Sequence, residues 1–82
     1  MSDEAAIAAR IADALSGAAT REAGAGAALV SLEIAVVAAA TPETVETRIV
    51  RKTRTLLFLA ADARSSRGEL TATASSVHKI IS

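Results

Sequence analysis

The amino-acid sequence predicts an α+β fold, in which one N-terminal helix is wrapped by a four-stranded antiparallel sheet. The first stretch, from Asp3 to Ala19, is rich in alanine, the strongest helix former, and contains no proline. The later stretches alternate apolar with polar residues or are rich in Val, Ile and Thr, which is typical of strands. A helix ahead of an antiparallel run of strands is buried when the sheet packs around it.

The helix has one clear apolar stripe. Ile7, Ile11 and Leu15 recur every four residues and therefore share one face of the helix. Asp13 lies well around the helix from that stripe. We therefore expect the three aliphatic side chains to face the sheet and Asp13 to lie off the apolar face.

Four strands follow from alternation and from the turn residues between them. The predicted strands are Ala28–Ala38, Val45–Arg54, Leu56–Arg64 and Glu69–Ile81. The predicted connections are Thr20–Gly26, the proline turn Thr41–Thr44 and the hairpin loop Ser65–Gly68. The third strand is apolar on both faces at first, which predicts a central position in the sheet.

The first strand has its own pattern. Val30, Leu32, Ile34 and Val36 are predicted to share one face. Glu33 interrupts an apolar run, and such a charge can guard a sheet edge or lie at a dimer contact.

The length and composition predict one small domain, residues 1–82, with a thin core. The chain has 82 residues; 51% are hydrophobic, many of them alanine, and Phe58 is the sole aromatic residue. A chain this short buries about 60–65% of its unfolded surface. Association compensates for a small core, and the sequence has no cysteine for a disulfide. We expect a homodimer or a higher homo-oligomer.

Charge and patterning argue against several classes of function. The formal net charge is zero and one aromatic residue is available for stacking, so nucleic acid is not an expected partner. The longest apolar run, Ala27–Ala40, is broken by Ser31 and Glu33 and is too short to cross a bilayer. The N-terminus lacks the pattern of a signal peptide. These features predict a cytoplasmic protein without a metal site.

The second half, RIVRKTRTLLFLAADARSSRGELTATASSVHKI, and the helix segment RIADALSGAA carry a family resemblance. They resemble hotdog-fold acyl-CoA thioesterases of the phenylacetate-degradation and 4-hydroxybenzoyl-CoA type, over nearly the whole chain. Ile11-Ala12-Asp13-Ala14 stands in register with the family's acidic helix segment. The resemblance implies a hotdog-like sheet in the order 1-4-3-2, an acyl-CoA substrate and a site between two subunits. Coenzyme A would then be part of the substrate, and no resident cofactor is expected.

The resemblance assigns roles to three helix residues. Asp13 matches the carboxylate that acts as nucleophile or as general base for water at the thioester carbonyl. Ala5 and Ala6 stand where the family has glycines, whose backbone N–H binds the carbonyl oxygen at the helix N-terminus. Residue chemistry also permits simpler interpretations. Asp13 can be a solvated carboxylate paired with Arg10, and the alanines can be helix formers only.

A basic cluster lies near the predicted turn between the second and third strands. It consists of Arg48, Arg51, Lys52 and Arg54. The resemblance implies that Arg51, Lys52 and Arg54 bind the phosphates of coenzyme A. The alternative is a set of solvated surface charges. His78, the only histidine, has no acidic or cysteine neighbour in sequence and is a poor ligand or base candidate.

Two departures from the family motivate a second functional hypothesis. The family's His-Gly-Gly segment is replaced, since counting back from Asp13 reaches Glu4, Ala5 and Ala6. The family's N-terminal region, with a first strand, has no counterpart before the helix. The alternative to an active thioesterase is therefore a shortened, non-catalytic relative that serves as a dimeric ligand-binding or assembly module.

Overall fold

The computed structural model describes residues 3–38 and 42–80, and their side chains except at positions 3, 4 and 25. It contains helix α1 (Asp3–Ala23), a 3-10 turn (Gly24–Gly26) and strands β1 (Ala27–Val36), β2 (Thr44–Lys52), β3 (Leu56–Arg64) and β4 (Leu70–Ile80). The predicted turn residue Thr41 and the predicted strand end Ile81 lie outside the described residues. A bilayer-spanning helix is not found within the described ranges.

Helix α1 is one turn longer than the sequence predicts. It continues past Ala19 to Ala23, where a connector was expected. No glycine or proline interrupts it there, and the hydroxyl of Thr20 donates to the carbonyl of Ser16 at 3.0 Å. Gly24 follows with a φ of 77°, a left-handed conformation that commonly ends helices.

The sheet is antiparallel in the order β1-β4-β3-β2, which confirms the predicted order. Strand β3 lies between β4 and β2 and is central, as predicted. The hairpin between β3 and β4 turns at Ser65–Gly68, where the amide of Gly68 donates to the carbonyl of Ser65 at 2.9 Å. Gly68 has a φ of 82°, a backbone conformation that residues with a Cβ atom rarely adopt.

The core lies between α1 and one face of the sheet, which we call the inner face. Ile7, Ile11 and Leu15 are at most 2% exposed, which confirms the predicted stripe. The inner face meets them with apolar side chains of β3 and β4: Leu57, Leu59, Ala61, Ala63, Ala72 and Ala74. Four of these six residues are alanines, so the helix packs close to a flat surface.

Strand β1 corrects one part of the sequence prediction. Leu32 and Ile34 pack against the core, but Val30 and Val36 are 61% and 43% exposed. A register shift between Leu29 and Ser31 explains Val30, because an extra residue at a bulge breaks the two-residue alternation. Val36 stays on the predicted face, opposite Ala72, so the alternation fails only at Val30.

Candidate active site

Asp13 lies on the solvent side of α1. It is two residues beyond the buried Ile11, about 200° around the helix at 3.6 residues per turn. Its side chain is exposed, and it forms no hydrogen bond or ion pair with any of the described residues. The carboxylate is thus open to a ligand or to another protein surface.

Arg10 does not pair with Asp13. Its guanidinium group reaches the connection between β1 and β2, where Nη1 donates to the carbonyl of Pro42 and Nη2 to that of Glu43, the latter at 2.8 Å. Pro42 is buried, and these bonds tie α1 to the start of β2. The simpler interpretation of Asp13, an ion pair with Arg10, is therefore not what the structure contains.

Ala5 and Ala6 lie in the N-terminal turns of α1 and are exposed. Ala6 and Asp13 are seven residues apart, which is about 10 Å along the helix axis. A reacting carbon must lie about 3 Å from both the nucleophile and the oxyanion donors. One copy of the chain therefore does not bring these groups together around one thioester.

The basic residues of β2 are divided between the two faces of the sheet. Lys52 pairs with Leu57 on the inner face, and its Nζ lies 3.4 Å from both Oε1 and the carbonyl oxygen of Glu22. Arg51 pairs with Phe58 on the opposite, outer face. Glu22 is near the C-terminal end of α1, so Lys52 lies far from Ala5 and Ala6.

Arg54 lies in the tight turn between β2 and β3 and is exposed. The hydroxyl of Thr53 holds this turn, because it accepts hydrogen bonds from the amides of Leu56 at 3.0 Å and Thr55 at 3.4 Å. The turn geometry does not depend on the Arg54 side chain. Arg48, the fourth basic residue, forms an ion pair with Asp62 at 3.2 Å.

A groove of about 250 Å³ lies between the C-terminal half of α1 and strand β2. Ala18, Ile49 and Leu59 give it apolar surface, and Arg21 and Glu22 give it charge. Asp13, Ala5 and Ala6 do not line it. The groove opens at the β2 edge, where Ile49 and Val50 are 49% and 63% exposed.

His78 is a buried structural residue. It is on the inner face, is 2% exposed and forms a 2.9 Å hydrogen bond through Nε2 with the hydroxyl of Ser76. Burial lowers the pKa of His78 below its ordinary value of 6.5. The helix lies between His78 and the solvent side that carries Asp13, so the two do not form a catalytic pair. Among residues 3–38 and 42–80, no three His, Cys, Asp or Glu side chains are placed to hold a metal ion.

The comparisons with known proteins concern the fold. No family model and no curated protein matches the chain. A solved structure from the thioesterase superfamily matches with a TM-score of 0.68 and 17% identity, over 78% of this chain and 50% of that one. Zebra fish thioesterase superfamily member 2 matches with a TM-score of 0.62 and 22% identity, over 71% of this chain and 45% of that one. The chain thus has the hotdog fold of thioesterase-superfamily proteins and spans about half the length of these two.

The sequence prediction missed the polar contacts that join distant elements. Arg10 contacts Pro42 and Glu43 across more than 30 positions, and Lys52 contacts Glu22 across 30. A basic side chain on a helix carries no sequence signal for a carbonyl partner so far away. Arg10 appeared only as a possible partner of Asp13, which lies three positions away.

Proposed function

We propose that this chain hydrolyses an acyl-CoA thioester, with Asp13 as the general base or the nucleophile. The observation that supports this most strongly is that the Asp13 carboxylate is exposed and forms no hydrogen bond or ion pair with the described residues. The nearby cation, Arg10, is committed to two backbone carbonyls, and Asp13 faces solvent at the position that the family resemblance assigns to the catalytic acid. The fold shared with thioesterase-superfamily proteins is consistent with the proposal.

In the proposed reaction, water attacks the thioester carbon while Asp13 takes one of its protons. The carbonyl electron pair moves to oxygen, and the resulting oxyanion is bound by backbone N–H groups at a helix N-terminus, near Ala5 and Ala6. Collapse of this intermediate breaks the carbon–sulfur bond and releases coenzyme A as a thiolate, which takes up a proton. If Asp13 instead attacks directly, water hydrolyses the mixed anhydride in a second step.

The proposed site includes a second copy of the chain. Asp13 and the N-terminal turn of its own helix are about 10 Å apart along the axis, which is too far for one thioester. The N-terminus of another copy's helix can approach the exposed side of α1. The homodimer and the catalytic proposal therefore depend on one another.

Asp13→Asn tests the catalytic role. The change keeps the size of the side chain but removes the base, and loss of a general base lowers rates about 100- to 10,000-fold. The assay measures free thiol from short, long and aromatic acyl-CoAs. Glu69→Gln is the matched control, because Glu69 is an exposed carboxylate in the β3–β4 hairpin. We expect the control to keep the wild-type rate and both variants to keep the wild-type melting temperature. Wild type and Asp13→Asn with equal rates near the uncatalysed background would refute the enzyme proposal.

The basic residues Arg51, Lys52 and Arg54 are proposed to bind the phosphates of coenzyme A. Arg54→Gln is the cleanest test, because the Thr53 hydroxyl holds the turn without it. We expect KM for an acyl-CoA to rise about tenfold, the equivalent of about 1.4 kcal/mol, with kcat unchanged. An acyl-pantetheine substrate lacks the nucleotide phosphates, so its KM should not change. Arg67→Gln, in the other exposed turn, is the control; an equal effect of Arg54→Gln on both substrates would contradict phosphate binding.

The second candidate function is a non-catalytic assembly module. The observation that favours it is the set of large apolar side chains exposed along the edge strand β1: Leu29, Val30, Val36 and the adjoining Val37. Soluble monomers rarely expose such a row without a partner. The same assay separates the two functions, since an assembly module associates but shows no turnover above background.

A further inference from the structure

The groove between the C-terminal half of α1 and strand β2 has an apolar floor. Ala18 of the helix and Ile49 and Leu59 of the sheet line it. The strand register pairs Ile49 with Leu59 on the inner face, where Leu59 is 1% exposed and Ile49 is 49% exposed. The exposed part of Ile49 is therefore apolar surface that a ligand in the groove would remove from water.

Arg21, in the last turn of α1, lines the same groove. Its guanidinium group folds back along the helix toward Gly17, because a Cβ atom on Gly17 would lie 3.3 Å from Nη1 of Arg21. Within residues 3–38 and 42–80, Arg21 forms no hydrogen bond or ion pair. A guanidinium group has five N–H donors in a planar fork, so that of Arg21 can bind a carboxylate in a bidentate manner.

Gly17 provides space for the guanidinium group of Arg21. The backbone does not require a glycine here, since a positive φ occurs only at Gly24 and Gly68 among the described residues. A glycine inside a helix lowers its stability relative to alanine. An alanine at this position would bring its methyl group against Nη1 of Arg21 at a distance shorter than most Cβ contacts in proteins. The small residue thus permits one particular position of the guanidinium group.

The charge at the groove favours an anion. Glu22 also lines the groove, but the Nζ of Lys52 lies 3.4 Å from its Oε1 and offsets its charge. The positive charge of Arg21 has no such partner in the described part of the chain. An apolar floor beside one uncompensated cation suits a molecule that has an apolar body and a single negative charge.

We propose that this groove binds a small organic acid, with its carboxylate on Arg21 and its apolar chain on Ala18, Ile49 and Leu59. The groove has a volume of about 250 Å³, below the range of about 300–1,000 Å³ that is usual for drug-sized ligands, so the ligand is small. The residues proposed for catalysis do not line the groove. The site therefore does not depend on the proposed hydrolysis of a thioester.

The carboxylate and the apolar chain are both needed for binding. An exposed ion pair contributes little affinity by itself, and a few CH₂ groups on a half-exposed floor also contribute little. Hexanoate carries both parts in a molecule of suitable size. We expect it to bind with a Kd on the order of 1 mM, as is usual for a ligand with so few atoms.

Titration of isotopically labelled protein with hexanoate, followed by NMR, tests the site. The backbone amide signals of Ala18 and Ile49 should shift and saturate with the expected Kd. Acetate lacks the chain, 1-hexanol lacks the charge and hexylamine reverses it, so each should bind about tenfold more weakly or not at all. Equal affinity for hexanoate and any one of these three compounds would overturn the proposal, as would the absence of a saturable shift at about ten times the expected Kd.

Two variants of α1 test the role of Arg21. Arg21→Gln should weaken hexanoate binding about tenfold, whereas Arg67→Gln, in the exposed β3–β4 hairpin, should not. Gly17→Leu should displace the guanidinium group and weaken binding by a similar factor. It should not lower the melting temperature, because leucine forms helices better than glycine. Ser16→Leu adds the same bulk at an exposed position outside the groove and should keep the wild-type Kd. A wild-type Kd in Arg21→Gln or Gly17→Leu would overturn the proposal.

Asp13→Asn separates this site from the proposed active site. It should leave the hexanoate Kd and the shifts at Ala18 and Ile49 unchanged, whatever its effect on hydrolysis. Loss of those shifts in Asp13→Asn would mean that the acid binds at the proposed active site, and would overturn the assignment to the groove. A protein that hydrolyses acyl-CoA but does not bind hexanoate would refute the groove site alone.

Discussion

At the scale of single residues, His78 links the stability of the fold to pH. It is buried on the inner face with its Nε2 on the hydroxyl of Ser76, and its neighbours across the sheet at that row are Leu57 and Leu29. Burial holds its pKa in the folded state below 6.5, so the unfolded chain binds a proton more readily. The free energy of unfolding should therefore fall as the pH drops through 6.5 toward the folded-state pKa.

Urea unfolding at pH values on either side of 6.5, kept above the carboxyl range, measures this effect. His78→Gln retains a polar group for Ser76 but does not titrate, so this pH dependence should disappear. The chain has no other histidine to account for a transition in this range. An identical pH dependence in His78→Gln would contradict the assignment.

The residues also show where sequence reasoning works. The burial of Ile7, Ile11 and Leu15 follows from periodicity along one helix, a local property. The bonds of Arg10 depend on how the helix lies against the β1–β2 connection, which is a property of the tertiary structure. The roles of Asp13, Ala5 and Ala6 come from the resemblance and remain predictions.

At the scale of elements, α1 is held by its apolar stripe. Ile11 is fully buried among alanines and leucines of the sheet, and Ile11→Ala should lower the free energy of unfolding by about 2–4 kcal/mol. Asp13→Asn, two residues away on the solvent side, is the control and should change stability little. Chemical denaturation measures both. A loss below about 1 kcal/mol for Ile11→Ala would mean that the inner face closes around the cavity.

The element boundaries show what the sequence could not determine. The sequence pattern predicts that the helix ends at Ala19, although the residue that stops it is Gly24, four positions beyond the start of the predicted connector. The bulge at Val30 contains no glycine or proline that would indicate it in the sequence. The bulge belongs to the register between β1 and β4, which local residue types do not specify. The order of the strands, by contrast, followed from the predicted meander together with the resemblance.

At the scale of the whole molecule, the proposed active site has a property that a single-chain site lacks. If Asp13 acts with the helix N-terminus of another copy, activity per chain requires the dimer. Serial dilution of the wild-type protein should lower the activity per chain in step with the fall from dimer to monomer in sedimentation.

An inactive chain should then rescue the diluted one. Chains that carry Asp13→Asn lack the base but still supply a helix N-terminus, so a mixed dimer contains one complete site built on the active chain's Asp13. Adding an excess of Asp13→Asn chains to the dilute wild-type protein should restore its activity per active chain to the undiluted value. Bovine serum albumin at equal mass is the control for surface loss. The contrary result is an activity per chain that changes neither on dilution nor on addition of the inactive chain. One copy would then cleave the thioester by itself, and the two-subunit site would be wrong even if the protein is an active enzyme.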